Sequence, residues 1–343
     1  MVCHNTNIQR QHICEEAYIG YSSTFREDGS SGGIFGELAS FVIAKGGVVY
    51  GALFDECFNV VHGRINQRAD LEALFGSKYV QSRIDSTFRT VKEDLLNDII
   101  VLYSGTPCQI AGLRSYLKKD YKNLITIEVI CHGVPSPGVW EEYVREIGCE
   151  KEIVGINFRD KRISWNKFSL TFSFSDGSYY SQIAGENQYM RLFLGDFISR
   201  NSCYRCEFRG LKRVADLTLG DTWSTHDTIS EIYNYELGVS SIFVNSQKGL
   251  ELLNEVKNKL HIVRIMPSKA IGYNNSYFVS PYHPIKRTDF EVSRLKNDEY
   301  SASLGYADKI IYLLYRIKAK IVCSIMKVLV NHNEKSVDYH REN

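Results

Sequence analysis

The sequence has no excess charge of either sign. Its 343 residues carry 41 Lys plus Arg against 40 Asp plus Glu, a formal net charge of +1. No global field therefore draws it to nucleic acid. It has no uninterrupted apolar run of about 20 residues, the length a membrane-spanning helix needs. The stretch from Met1 to Glu15 is polar and lacks the apolar centre of a secretory signal. Internal repeats and low-complexity tracts are absent. So are the G-x-G-x-x-G dinucleotide fingerprint, the G-x-x-x-x-G-K-[ST] phosphate loop and H-E-x-x-H. The G-x-S-x-G nucleophile elbow is missing too. Kinase, ordinary dinucleotide dehydrogenase, zinc protease and serine hydrolase readings lose their main support. Nine cysteines are too few for a disulfide scaffold of this length. With no secretion signal they point to a reducing, cytoplasmic setting, where clustered thiols more often bind metal or do redox work.

What is present suits a globular protein of about two domains, with 44% hydrophobic and 24% charged residues. A helix is predicted from Ile34, stopped by Gly46-Gly47, and Val48–Phe54 reads as a buried strand. Short helices follow near Asp70–Leu74 and Thr90–Leu96. Ile99–Tyr103 is the clearest buried strand; it runs into Ser104-Gly105-Thr106-Pro107-Cys108 and a helix over Gln109–Leu117. A further unit repeats the pattern, with strand Leu124–Ile130, loop Cys131–Pro137 and helix Val139–Ile147. Strands alternating with helices predict an α/β fold with a mostly parallel or mixed central sheet and flanking helices. Beyond Cys149 the texture turns to hairpin chemistry around Asp176-Gly177. Gln188–Ile198 is helix-like, Leu217–Leu219 is a short strand, and Ser241–Val244 with Gly249–Leu260 forms a strand–helix pair. In the last helix, Asp308–Val330, Ile310, Ile311, Leu314, Ile317, Ile321, Val322, Ile325 and Leu329 share one face. Lys309, Arg316, Lys320 and Lys327 share the opposite one. Packing of that apolar face onto the domain is the reading weighed against docking on a membrane surface or partner.

Cys203 and Cys206 form C-x-x-C, a half-site from which two thiolates can reach one metal or cluster. Cys108 and Cys131 each follow a buried strand. If those strands are neighbours, both thiols lie at one carboxyl edge, where open α/β sheets bind ligands. A loop carrying Cys203 and Cys206 would then complete a four-thiolate site for an iron–sulfur cluster or structural zinc; the plainer reading makes Cys108 and Cys131 buried packing residues. Ser31, Gly32 and Gly33 precede a helix, with Ser30 or Ser31 as N-cap, and can present free N–H groups to an anion. Gly76-Ser77-Lys78-Tyr79 combines parts for phosphate and planar-ring recognition. Asp221 after Gly220 offers a carboxylate or a plain turn. His132 offers a proton donor, a supporting contact or a satisfied loop histidine.

Taken in order, these segments are more specific than any one of them. Ser30-Ser31-Gly32-Gly33, Gly-Ser-Lys-Tyr-Val-Gln-Ser from Gly76, Gly-Thr-Pro-Cys-Gln from Gly105 and Cys-His-Gly-Val-Pro-Ser-Pro from Cys131 come first. Asn-Phe-Arg-Asp-Lys from Asn157, Cys-x-x-Cys from Cys203 and Gly-Asp-x-Trp from Gly220 follow. The series closely resembles the coenzyme F-420 hydrogenase/dehydrogenase beta-subunit family, over roughly Tyr18 to Gly249, about two thirds of the chain. The resemblance implies an oxidoreductase binding FAD and a 4Fe–4S cluster and passing electrons between them. Cluster ligands would be Cys108, Cys131, Cys203 and Cys206. The flavin would use Ser31, Gly32, Gly33, Gly76, Ser77, Lys78, Tyr79, Ser82, Gly105, Thr106, Pro107 and Asp221. Lys78 would be the cation near the flavin, and Lys78 and His132 are the candidate catalytic groups.

Many relatives begin with a cysteine-rich two-cluster ferredoxin segment. Here only Cys3 and Cys14 stand in the corresponding stretch, and two thiolates cannot hold a 4Fe–4S cluster. A ferredoxin-type electron donor is therefore expected as a separate chain, beside a small-molecule hydride partner or substrate. The resulting division is a ferredoxin-like remnant (1–17), an α/β flavin-binding core (18–149), a β-rich iron–sulfur segment with an inserted β-hairpin (150–299) and a basic amphipathic tail (300–343). Similar members with such tails belong to bacterial surface-polysaccharide gene sets, which suggests a cytoplasmic protein peripheral to the inner face of the membrane. The second reading is a cofactor-depleted or zinc-stapled scaffold of a glycan-assembly complex.

Overall fold

The computed structural model describes residues 12–14, 16–223, 234–284 and 313–329. The chain opens with β1 (His12–Ile13) and β2 (Glu16–Ser22), then α1 (Ile34–Ala44), β3 (Val48–Phe54) and β4 (Val60–Ile65). A 3-10 turn over Arg68–Leu74 leads to α2 (Thr87–Leu96), β5 (Val101–Gly105), α3 (Pro107–Leu117), β6 (Leu124–Val129) and α4 (Pro137–Ile147). The middle holds β7 (Ile153–Asp160), β8 (Ser169–Phe174), β9 (Tyr179–Ile183) and α5 (Gln188–Leu194), then a 3-10 turn over Asn201–Arg205. β10 (Lys212–Arg213), β11 (Leu217–Asp221), β12 (Ser240–Val244), α6 (Gln247–Val256), β13 (Leu260–Ile265) and α7 (Pro267–Ile271) follow. A last helix, α8, spans 313–329.

Eight of these strands form one mixed sheet in the order β13-β2-β12-β11-β6-β5-β3-β4. The four central strands β11, β6, β5 and β3 are parallel, and antiparallel strands extend both sides. Helices cover both faces, which is why the central strands read as continuous apolar runs. Alternate residues go to opposite layers. Val49 and Leu102 pack toward α1 and α6, with Ile34, Leu38, Leu252 and Val256. Val48, Tyr50, Val101 and Tyr103 pack toward α2 and α3, with Val91, Leu95, Ile110 and Leu113.

The predicted hairpin is a three-stranded antiparallel meander, β7-β8-β9. It builds a second, aromatic core with α4 and α5, centred on Trp140, Phe158, Phe172 and Tyr189. Trp140 is fully buried and its indole N–H donates to the Phe58 carbonyl at 2.8 Å, tying this core to the β3–β4 connection.

Several local expectations change. The first helix is capped by Gly33, not by Ser30 or Ser31; Gly33 has φ +74°, and a Cβ there would stand 2.2 Å from the Phe25 carbonyl oxygen. Cys57 and Cys149 are exposed, and Cys323 is buried. The tail helix inverts the expected orientation. Tyr315, Ala319, Cys323 and Lys327, spaced one turn apart, form its protein-facing stripe: Ala319 and Cys323 are buried, Tyr315 donates to the Ser280 carbonyl and Lys327 to that of Gly272. Leu313, Leu314, Ile317, Ile321, Ile325 and Val328 are exposed instead. Residues 309–311 and Cys3 lie outside the described residues.

One buried histidine fixes the β4–β5 region. The Ser104 carbonyl can only accept, so His62 carries its proton on Nε2 and donates to it at 3.0 Å. Its Nδ1 then accepts from the Ser82 hydroxyl at 2.8 Å. Burial pushes the imidazole pKa down to about 4. A folded value below the unfolded 6.5 stabilises the fold above pH 6.5 and loses that contribution as pH falls through 4. The loss is on the order of 3 kcal/mol at full protonation. Denaturant titrations from pH 7 to 4 should show this slope in the wild type and a shallower one in His62→Asn.

Candidate functional site

β5 and β6 are adjacent and parallel, with Gly105 opposite Glu128. Their carboxyl ends therefore deliver Cys108 and Cys131 to one edge of the sheet. Cys108 lies in the first turn of α3, whose entry is closed by Gln109 accepting from the Thr106 N–H at 2.9 Å. The third loop is brought in across the second. Arg200 N–H donates to the Val134 carbonyl at 3.0 Å, and Pro135 bridges Ser199. Gly133 makes this approach possible: a Cβ there would stand 2.8 Å from Ser199 Oγ and 3.6 Å from Cys203 Cβ. Cys203 and Cys206 thus reach the edge already holding Cys108 and Cys131.

Cys108 and Cys131 both lie within electrostatic reach of Cys203 and Cys206. Burial raises Cys108, with Cys206 and Cys203 adding to it, while the Thr106 hydroxyl 3.1 Å away works against the rise. Burial pushes Cys131 up to about 12 despite the nearby Arg209 charge, and the other three cysteines contribute. Thiols gathered in this way form a donor set that a bound cation can deprotonate and hold. Among the described residues, no three His, Cys, Asp or Glu side chains close around a single metal ion. A four-thiol donor set is the chemistry taken by an iron–sulfur group or a structural zinc.

His132 is fixed beside this edge. Its Nε2 lies 2.7 Å from Asp196 Oδ1, and its ring meets Phe193 edge-on at 5.1 Å. Asp196 is buried at φ +70° and accepts from the Tyr282 N–H at 2.8 Å. Its carbonyl accepts from Tyr204 inside the C-x-x-C turn at 2.5 Å. Asp196 therefore clamps both cysteine loops, and nothing in the sequence pattern singled it out.

The residues assigned to the flavin form three connected groups. Ser77 N–H and Oγ–H both reach Ser30 Oγ, at 2.5 and 2.8 Å, so the Gly76 loop is tied to the start of α1. Ser31 donates to the Val239 carbonyl at 2.8 Å and Gly32 N–H to Ser240 Oγ at 2.9 Å. Ser82 accepts from Gln109 Nε2 at 2.7 Å, linking the Gly76–Ser82 loop to Gly105, Thr106 and Pro107 beside Cys108. Tyr79 and Asp221 meet at Arg159, whose Nη1 donates to both, at 3.2 and 3.0 Å. Lys78 donates to the carbonyls of Phe75 and Gly76, and burial lowers its ammonium to about 7. Gly76, at φ +76°, has no atom within 4 Å of a Cβ position and opens on a cleft of about 320 Å³. The open cleft and the start of α1 are compatible with a flavin nucleotide. The sequence pattern assigns Arg159 no role of its own, although it stands in the Asn-Phe-Arg-Asp-Lys segment from Asn157 and opens the charged run Arg159-Asp160-Lys161-Arg162.

Residues 100–268 match the family model for the carboxy-terminal part of the beta subunit of coenzyme F420 hydrogenase/dehydrogenase. This stretch includes all four cysteines, Arg159 and Asp221, whereas Ser31 and the Gly76 loop precede it. Among solved structures the chain is similar in fold to a chain of the F420-reducing [NiFe] hydrogenase complex from Methanosarcina barkeri. Identity is 13%, the TM-score is 0.53, and the match covers 86% of this chain and 93% of that one. None of the curated proteins matches. The segment that carries the four-cysteine edge thus belongs to the coenzyme F420 hydrogenase/dehydrogenase beta-subunit family.

Proposed function

We propose that this protein is an iron–sulfur flavoprotein oxidoreductase, with Cys108, Cys131, Cys203 and Cys206 as the ligands of a 4Fe–4S cluster. The Ser31–Gly33, Gly76–Ser82 and Gly105–Pro107 segments would hold FAD. The observation that carries the reading is the convergence of four cysteines from three separate loops on one edge of the sheet. When bound, the flavin would supply two-electron hydride chemistry and the cluster single-electron transfer. The chain's own part is to hold and shield. Asp196 orients His132 and the C-x-x-C turn, Arg209 places a positive charge beside Cys131 while donating to the His132 carbonyl at 2.8 Å, and Gln109 couples the two loops at Ser82. Cys108 presents surface to solvent even though the atoms packed around it desolvate its thiol, which favours a separate ferredoxin-type chain as one-electron partner at that face.

Protein purified without oxygen should contain about four irons and one flavin per chain. Cys108→Ser and Cys203→Ser should lose the iron, while Cys57→Ser and Cys149→Ser keep it. One zinc per chain without flavin, or equal iron in all four variants, would refute the assignment and favour a zinc-stapled scaffold.

No described helix is long and apolar enough to cross a membrane. The outward apolar arc of α8 supports peripheral attachment instead. At 100° per residue the arc from Leu313 to Ile325 is bordered by Lys318 on one side and by Arg316 and Lys320 on the other. An apolar stripe flanked by cations suits an anionic lipid surface. Vesicles rich in phosphatidylserine should co-sediment the wild type and release it when Ile317, Ile321 and Ile325 are changed to Ser, with iron content unchanged. Equal sedimentation of both proteins would remove α8 from this role.

A further inference from the structure

We propose that the cleft between Ser30, Gly76 and the end of β7 is a binding site for a phosphate group, with Arg159 as its anchor. Arg159 is 4% exposed, and only one edge of its guanidinium is used inside the protein. Nη1 donates to Asp221 and Tyr79, while Nε and Nη2 have no acceptor. Those two N–H groups form the side-on fork that matches two oxygens of an oxyanion. A buried charged donor pair left open is costly unless a ligand completes it.

The head group is prearranged. Its carbon stands 4.1 Å from the Phe168 ring centroid and under 6 Å from those of Trp165 and Trp223. Burial opposes its charge, but Asp221 and Tyr79 outweigh this and keep it protonated. The neighbouring cations are turned toward partners of their own. Lys161 Nζ serves the carbonyls of Arg26 at 2.6 Å and Leu237 at 3.2 Å, and the half-exposed Arg162 sets Nε and Nη2 on Asp160, at 2.8 and 2.6 Å. They add positive potential without competing for the fork, whereas Glu27 and Asp28 sit exposed at the rim. Gly76 leaves the floor open because it brings no side chain. Arg159 is therefore the group in the cleft with donors to spare.

The same chemistry can come from two sources, the phosphates of the flavin nucleotide or those of a phosphorylated substrate. The site does not depend on which applies, nor on whether the cysteines hold iron. Calorimetric titration of inorganic pyrophosphate into the full-length, flavin-free protein should show saturable binding. Arg159→Gln should weaken it about tenfold or more, as expected for loss of a charged hydrogen-bonding fork. Arg159→Lys, which keeps the charge but not the fork, should recover only part of the affinity. If Arg159→Gln does not fold, Arg162→Glu at the half-exposed mouth should still weaken binding several-fold. Repeating the titration after loading FAD separates the sources: lost binding assigns the site to the flavin's own phosphates, retained binding to a substrate. No heat with the wild type, or wild-type affinity in both the Arg159→Gln and Arg162→Glu proteins, would overturn the proposal while leaving the iron and flavin assignments standing.

Discussion

The site depends on one constraint: β5, β6 and β11 run parallel as neighbours, so everything that follows them emerges on the same side. Asp216 sets the β6–β11 alignment. Its carboxylate accepts from Thr126 N–H and Oγ1 at 2.8 and 2.7 Å and from Ser246 at 2.7 Å. Burial disfavours its ionisation, but Arg114, Lys248 and these donors prevail and hold it below the usual carboxylate range. A one-residue slip between these strands would reverse which face each side chain serves. It would also carry Cys131 and Asp221 away from their partners.

The second core performs a different task. The meander and α4–α5 pack aromatic rings around Trp140, and the same ring network extends through Tyr79 and Phe193 to His132. Rings are stiff and keep their polar tips in place. Arg159 gains its position this way, held by Phe168 on one side and Tyr79 on the other. The cysteine-bearing edge of the sheet and the cation of the cleft are thus braced by a single packed unit rather than by long, independently mobile loops.

The central strands were legible in the sequence because both faces are buried, which leaves unbroken apolar runs at β3, β5 and β6. The carboxyl-edge position of Cys108 and Cys131 followed from the alternation of strand and helix. β4 was hidden because His62, Gly63 and Arg64 interrupt its pattern, although His62 is buried as a neutral hydrogen-bonding group. β2 and β13 are sheet-completing strands whose partners lie more than 200 residues apart in the chain, a pairing that no local pattern encodes. The outward face of α8 was misjudged for a related reason. Periodicity identifies an amphipathic helix but does not say which stripe meets the domain, and here small and polar residues at Ala319, Cys323 and Tyr315 do so.

The strand order gives the molecule a timetable. β2 is made more than 200 residues before β12 and β13, yet among the described residues it pairs only with them, through Ser240–Val244 and Leu260–Ile265. During synthesis it must wait with both edges open, a state prone to wrong pairing. β3, β5 and β6 can associate long before, which places the first two cysteines on a partly built sheet while the C-x-x-C turn is still being made. Non-local closure of this kind slows folding, because β2 cannot be seated until β12 and β13 have both been made.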